Sequence, residues 1–322
     1  MNNMDTDHLE NVARCYICAA GEARLLMPVH DRWFGTDGEF NLYECRGCGL
    51  IYTNPRPGPE FMAAYYPDTY GPHQAGSYRP GKKTSFPLFR WLKPYFNTRS
   101  SYLPPLIPGG RLLELGCSYG SFLAHAKNLG WAVHGVEIAA EPVQFGRQVL
   151  GLDIRHGTLE SAAFPEQFFD VVTGWMVLEH LHDPVGTLEE IRRVLKPGGL
   201  IAFGIPNAAC WEFKLFGPNW FALEIPRHLS HFTSQSISTL FAKTGFELVK
   251  VYYQKNISNI PASMALFMED RFGPGRVSGR LRSMAGSGLF NRLAYPLAAV
   301  LSWVGMTGRI TVVGKLPAGN QL

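Results

Sequence analysis

The stretch that decides the fold is Arg111-Leu-Leu-Glu-Leu-Gly-Cys-Ser-Tyr-Gly120. Leu112, Leu113 and Leu115 form the short apolar run of a buried parallel strand, and the acid Glu114 interrupts it just before Gly116. Small residues then recur at alternate positions, Gly116, Ser118 and Gly120, and a helical segment from Ser121 to Leu129 stops at Gly130. A strand, a loop of small residues and a helix start make a nucleotide-binding design. Small side chains let the backbone approach a ligand, and the helix N-terminus offers unpaired N–H groups. The dinucleotide fingerprint G-x-G-x-x-G is not met, because Ser118 and Ser121 occupy its later glycine positions.

The pattern Glu114-x-Gly116-x-Ser118-x-Gly120 instead resembles motif I of the class I S-adenosylmethionine (SAM) methyltransferases, whose usual form is acidic-x-Gly-x-Gly-x-Gly. The resemblance implies that Glu114 and the loop backbone hold the amino-acid end of SAM. Ser118 departs from the middle glycine and fits unless that position needs a positive φ. The next strand, Trp131 to Glu137, alternates and ends in an acid roughly twenty residues past Gly116. A carboxylate at that tip can accept both ribose hydroxyls.

Further phrases extend the resemblance from Arg111 to Lys315. Glu141–Leu150 reads as a helix and Leu152–His156 as a third strand, followed by Gly157-Thr-Leu-Glu160. The family's loop at this point faces the adenine, which implies a contact from Glu160 or its neighbours. Phe168–Trp175 is a fourth strand ending at Trp175 beside the cofactor, and Met176–Asp183 leaves it in the phrase VLEHLHDP. Pro184 opens a helix capped by Asp183 and closed by Pro197-Gly-Gly199. Gly199–Pro206, Phe246–Tyr253 and Arg309–Lys315 read as strands five, six and seven, the last inserted antiparallel as in the family. The expected fold is α/β, a Rossmann-like seven-stranded methyltransferase sheet with helices on both faces.

Ahead of this lies a different module. Cys15-x2-Cys18 and Cys45-x2-Cys48 are two identical knuckles, and each presents two thiolates to one side of a tetrahedral zinc. Four thiolates leave no open position, so a structural zinc is expected, with a disulfide pair as the lesser alternative. The phrase CxxCGLIYTNPRP resembles the lead-in of bacterial small-molecule methyltransferases, some of which act on sugar nucleotides. The division expected is a zinc-ribbon-like module and linker over 1–80 and a methyltransferase domain over 81–322, with an insertion at about 260–308. Phe61, Tyr65, Tyr66, Tyr70 and Tyr78 read as packing between the two, residues 71–87 as a linker, and Phe86–Leu103 as a helix nearing the cofactor.

In an open α/β sheet the ligands lie beyond the carboxyl ends of the strands. Candidate general bases there are His180, His228 and His231, with His182 nearby. Glu179 with His180 also admits a divalent ion, although too few ligands are visible for it. Aromatic residues between Asn207 and Thr233, among them Trp211 and Trp220, are the expected pocket wall.

The chain has 322 residues, 46% hydrophobic content and a net charge of +4, without the basic stripe of a dedicated nucleic-acid binder. Met1–Glu10 shows no export signal and no long apolar span appears, so the cytoplasm is the default. The insertion pairs Arg271, Arg276, Arg280 and Arg282 with an apolar helical segment, Leu293–Val304. A lid or homodimer face is preferred for it over a membrane-surface anchor. The expected activity is SAM-dependent methyl transfer to O or C of a small-molecule acceptor such as a sugar nucleotide, glycan precursor or secondary metabolite. The rivals are RNA methylation with the zinc module as grip, and a non-catalytic zinc-bearing protein on the same fold.

Overall fold

The computed structural model describes residues 8–67, 70, 103–104 and 107–318. Tyr78, the 71–87 linker and, apart from Leu103, the helix expected over 86–103 lie outside the described residues. The first segment forms β1 (Leu9–Glu10), β2 (Ala23–Val29), β3 (Phe40–Cys45), β4 (Ile51–Asn54) and β5 (Arg56–Pro57). Elements then alternate as β6 (Arg111–Leu115), α1 (Ser121–Asn128), β7 (Ala132–Glu137), α2 (Ala140–Gln148), β8 (Asp153–His156), α3 (Leu159–Ala162) and β9 (Phe169–Trp175). They continue as α4 (Pro184–Val194), β10 (Leu195–Pro206), α5 (Trp211–Phe216), β11 (Ser230–His231), α6 (Ser234–Lys243) and β12 (Glu247–Tyr253). Four helices, α7 (Asn259–Phe272), α8 (Arg276–Ala285), α9 (Gly288–Leu293) and α10 (Tyr295–Trp303), precede β13 (Arg309–Lys315).

The main sheet has seven strands in the order β12-β13-β10-β9-β6-β7-β8. The five from β10 to β8 run parallel, and β13 lies antiparallel between β10 and β12, as the sequence led one to expect. The strand order reverses at β6, whose neighbours are β7 and β9, so the ligand crevice opens at the carboxyl ends of these three. Their runs are apolar because helices cover both faces: Leu112, Leu113, Val171 and Val172 are buried. Helix α4 begins at Pro184 with the Asp183 carboxylate accepting the Gly186 N–H at 2.9 Å, and it buries Leu188, Ile191 and Val194 at helical spacing.

Two local readings change. Pro197-Gly-Gly199 lies not at the helix exit but within β10, whose pairing with β9 shifts register between Leu195 and Leu200. Pro197 has no N–H for the ladder and Gly198 has φ +78°, so an irregularity falls where pairing is weakest. The apolar stretch 293–304 is divided between α9, which ends at Leu293, and α10, which starts at Tyr295 with Pro296 in its first turn.

The N-terminal sheet is ordered β11-β4-β3-β2, so a strand from residues 230–231 completes it, with Ser230 opposite Tyr52 and His231 opposite Ile51. Cys15, Ile17, Leu50 and Tyr52 share one buried cluster with Phe232, Ile237 and Leu240. Residue 80 therefore divides the sequence, while the packing runs across it.

At the start of α1, Gly120 has φ +74°, and a Cβ there would lie 2.5 Å from Leu152 Cδ1. Gly120→Ala is expected to lower stability by about 2–3 kcal/mol through the left-handed backbone and the overpacked contact. Thermal unfolding against wild type measures it; an unchanged midpoint would contradict the packing.

Candidate active site

The loop after β6 shows why small residues alternate in it. Gly116, Ser118 and Gly120 have φ of +60°, +47° and +74°, a left-handed residue at every second position. Such alternation turns successive backbone N–H groups toward one concavity. Ser118 therefore occupies a position that does need positive φ, and it carries backbone strain that glycine would not. Gly116 is also tight: a Cβ there would sit 3.0 Å from Val177 Cγ2.

Glu137, at the tip of β7, is only 5% exposed. Its Oε2 accepts the Ser118 N–H at 2.8 Å and its Oε1 accepts the Ala139 N–H at 2.9 Å, tying the strained loop to the strand end. Each carboxylate oxygen keeps a further lone pair for a ligand hydroxyl. Glu114 is buried at the end of β6, beside this loop. Trp175, the last residue of β9, is buried against Phe122 of α1, with ring centroids 5.2 Å apart and an interplanar angle of 69°. Glu160 is exposed on α3, and its carboxylate accepts from the Thr187 hydroxyl of α4 at 3.3 Å, turned toward the helix layer. The crevice thus combines a backbone concavity with an acid at a strand tip, which fits a cofactor bearing both an amino-acid end and a ribose.

Glu137→Ala removes a carboxylate that organises two backbone donors. It is expected to weaken S-adenosylhomocysteine binding about 100-fold or more, since two charge-assisted hydrogen bonds contribute roughly 3 kcal/mol or more. Calorimetric titration reads this directly. An unchanged affinity removes Glu137 from the cofactor site.

Beyond the ends of β9 and β10 the structure gathers His180, His228 and His231. The His180 Nδ1 lies 3.0 Å from the Arg227 carbonyl and 2.8 Å from Tyr66 Oη. A carbonyl only accepts, so Nδ1 carries the proton and Nε2 is left as an acceptor. The His228 Nδ1 donates in the same way to the Ala222 carbonyl at 2.9 Å, and its Nε2 lies 3.4 Å from Glu224 Oε2. Burial raises the Glu224 carboxyl above the usual carboxylate range, against the pull of His180 and Arg227 nearby. The His180 and His228 rings meet edge to face at 4.5 Å. Burial pushes all three imidazoles down to about 3, with His228 adding to the effect at His180 and His231. His231 belongs to β11, its ring centroid 6.4 Å from that of His228. His180 alone of the three keeps part of its surface exposed. His182 faces elsewhere, onto the Pro57 carbonyl at 2.9 Å.

Two acids that the sequence reading did not put forward as bases join this cluster. Glu224 has φ +43°, a strained position four residues before His228. Glu179, named there only as a metal ligand, is fully buried with neither oxygen hydrogen-bonded, and burial raises it to about 8. Ligand atoms of Glu179, His180 and His228 lie within 4.8 Å of one another, which adds a third group to the divalent-ion reading. The Arg227 guanidinium, 3.5 Å from Glu224, places a fixed positive charge beside them and favours a proton over a dication. Arg227 is itself held by Asp31 of the N-terminal segment, through hydrogen bonds of 2.8 and 3.1 Å, both side chains fully buried. Only the spacing Glu224-x3-His228 hints at this network in sequence. Asp31 gives no hint.

In the N-terminal sheet the four cysteine sulfurs converge within 4.8 Å of one another. Cys15 and Cys48 sulfurs are 3.6 Å apart and Cys18 and Cys45 sulfurs 3.4 Å, far beyond a disulfide bond. The edge of a tetrahedron with about 2.3 Å metal–sulfur bonds is about 3.8 Å, close to both. Gly49, after the second knuckle, has φ +71°, as its turn requires.

Sheet order, the alternating left-handed loop and the acid at the β7 tip define the class as the Rossmann-like SAM-dependent methyltransferases. The chain belongs to the family described as Methyltransferase domain, whose model matches residues 90–251, just over half its length. It is similar to a ubiquinone biosynthesis O-methyltransferase of Cereibacter sphaeroides, 29% identical over 174 residues, 51% of this chain and 69% of that protein. A ubiquinone biosynthesis O-methyltransferase of Pectobacterium atrosepticum is 29% identical over 127 residues, 37% of this chain and 53% of that one. A probable SAM-dependent methyltransferase of Mycolicibacterium smegmatis is 30% identical over 141 residues, 44% of this chain and 53% of that one. Apart from the first, the chain spans about half the length of these relatives. Among solved structures, a SAM-dependent methyltransferase from Archaeoglobus fulgidus is 17% identical, with a TM-score of 0.45, over 71% of this chain and all of that one. The chain is a SAM-dependent methyltransferase, and no helix among the described residues is long and apolar enough to cross a membrane.

Proposed function

We propose that this enzyme transfers the methyl group of SAM to a hydroxyl of a small-molecule acceptor, with His180 as the proton acceptor. The carrying observation is the buried cluster of His180, His228, Glu224 and Glu179 just beyond β9 and β10, next to the cofactor crevice. Glu114, the 116–120 loop and Glu137 hold the cofactor, and Trp175 walls its crevice. When bound, SAM supplies an electrophilic methyl carbon with a good leaving group. A hydroxyl that gains a methyl becomes strongly acidic, so even an imidazole made weakly basic by burial can take its proton. Glu224 and Arg227 hold His228 and the His180 backbone partner in place, and Tyr66 orients the His180 ring. The O-methyltransferase relatives support an oxygen acceptor over carbon.

Zinc held by Cys15, Cys18, Cys45 and Cys48 is structural in this reading. It closes the β2–β4 sheet, which β11, carrying His231, extends by pairing with β4. The test is methyl transfer from isotopically labelled SAM to a panel of phenols, catechols and sugar nucleotides, with a structured RNA as comparison. Labelled ether formation on a small acceptor supports the proposal. Transfer to RNA alone, or to carbon alone, replaces it.

A further inference from the structure

Twelve of the twenty large apolar side chains exposed among the described residues fall between Met264 and Met306, a short part of the chain. The concentration is far from the scattered exposure of an ordinary surface. Leu289, Leu293, Leu297, Val300 and Val304 recur at spacings of four, four, three and four, one face continued from α9 through α10. Leu293 is 74% exposed, and Trp303, beside that face, is 87% exposed. The neighbouring helix α8 adds charge. Arg276, Gly279, Arg280, Ser283 and Met284, one face of α8, line an open depression of about 610 Å3. No Asp or Glu occurs from Arg271 to the last residue, Leu322, whereas five arginines lie between Arg271 and Arg292. The preceding acids are engaged, Glu269 with Arg282 at 2.5 Å and Asp270 with Arg32.

We infer that helices α8–α10 form a docking surface for an anionic lipid bilayer, lying in its plane with Leu293, Leu297 and Trp303 inserted and Arg276 and Arg280 on the lipid phosphates. The chemistry of the surface selects this occupant. Aliphatic side chains beside arginines, with a tryptophan at the edge, match the boundary between acyl chains and headgroups. A second copy of the chain would bring the same acid-free, arginine-bearing surface against itself and leave those charges unpaired. RNA would meet the arginines and leave the aliphatic face wet.

The surface is also tied to the active site. Helix α7 buries Ala262, Ala265 and Leu266, accepts the Phe221 N–H on Ser263 Oγ at 2.9 Å, and so braces the loop that carries Glu224. Docking would place that loop near the membrane. This rests on the surface alone and stands whichever acceptor atom is methylated.

Cosedimentation of the full chain with vesicles tests it, using phosphatidylcholine alone and phosphatidylcholine with one-third phosphatidylglycerol. Binding to the anionic vesicles is expected to fall at high salt, and by about tenfold or more in an Arg276→Glu/Arg280→Glu double variant and in Leu293→Glu. S-adenosylhomocysteine binding by each variant checks that it is folded. Absence of binding to anionic vesicles overturns the inference, as does equal binding by folded variants. So does a vesicle-free dimer that Leu293→Glu dissociates, which would assign the surface to a second copy.

Discussion

Cys45→Ser is expected to release the metal and unfold the N-terminal sheet, the largest single effect foreseen for this chain. Cys45 ends β3 and is 1% exposed, with its sulfur 3.4 Å from that of Cys18. Four converging thiols, three of them buried, leave polar, ionisable groups facing one another when no cation joins them. A zinc ion bound there would turn that liability into the strongest link of the sheet. Apparent binding free energies of structural zinc are about 10–16 kcal/mol, comparable to the whole stability of a typical domain, about 5–15 kcal/mol. The consequence reaches the active site, because β4 pairs with β11 and Asp31 holds Arg227. Metal content and thermal unfolding of wild type and variant, with and without chelator, measure the effect. A wild type that is free of metal and equally stable would falsify the zinc assignment.

His180→Ala is expected to lower kcat by about 100- to 10,000-fold while leaving S-adenosylhomocysteine affinity unchanged, the range for loss of a positioned general base. The pH profile adds a second readout. Burial lowers the His180 pKa to about 3, so the imidazole stays neutral as pH falls from 7 to 5. Wild-type kcat should then show no loss through the ordinary histidine range near 6.5, where an exposed base would be switched off. His231→Gln is the contrast: in β11, behind His228, it should alter stability more than turnover. Equal turnover by wild type and His180→Ala removes His180 as base. A profile that falls near 6.5 removes the buried cluster as its setting.

The sheet was legible because each strand carried its own local signal. Leu112-Leu-Glu-Leu115 is apolar since both faces of β6 are covered, and Glu137 ends β7 where the crevice opens. Gly116 and Gly120 announced a tight loop, and the φ of +47° at Ser118 shows that the loop conformation outlasts loss of its middle glycine. The cysteine knuckles were equally local. The histidine and carboxylate cluster was not, for its members come from segments far apart in sequence: Asp31 meets Arg227, and Tyr66 meets His180.

Sequence by itself thus determined the fold class, the tight small-residue loop after β6 and the four-cysteine cluster, because periodicity, small-residue spacing and paired knuckles act over a few residues. Tertiary structure alone decided that β11 completes the N-terminal sheet and that one core crosses residue 80. It also decided that Glu224 and His228 stand with Glu179 and His180. The reason is physical: burial sets which side chain of a cluster holds a proton, and burial is a property of packing between distant segments.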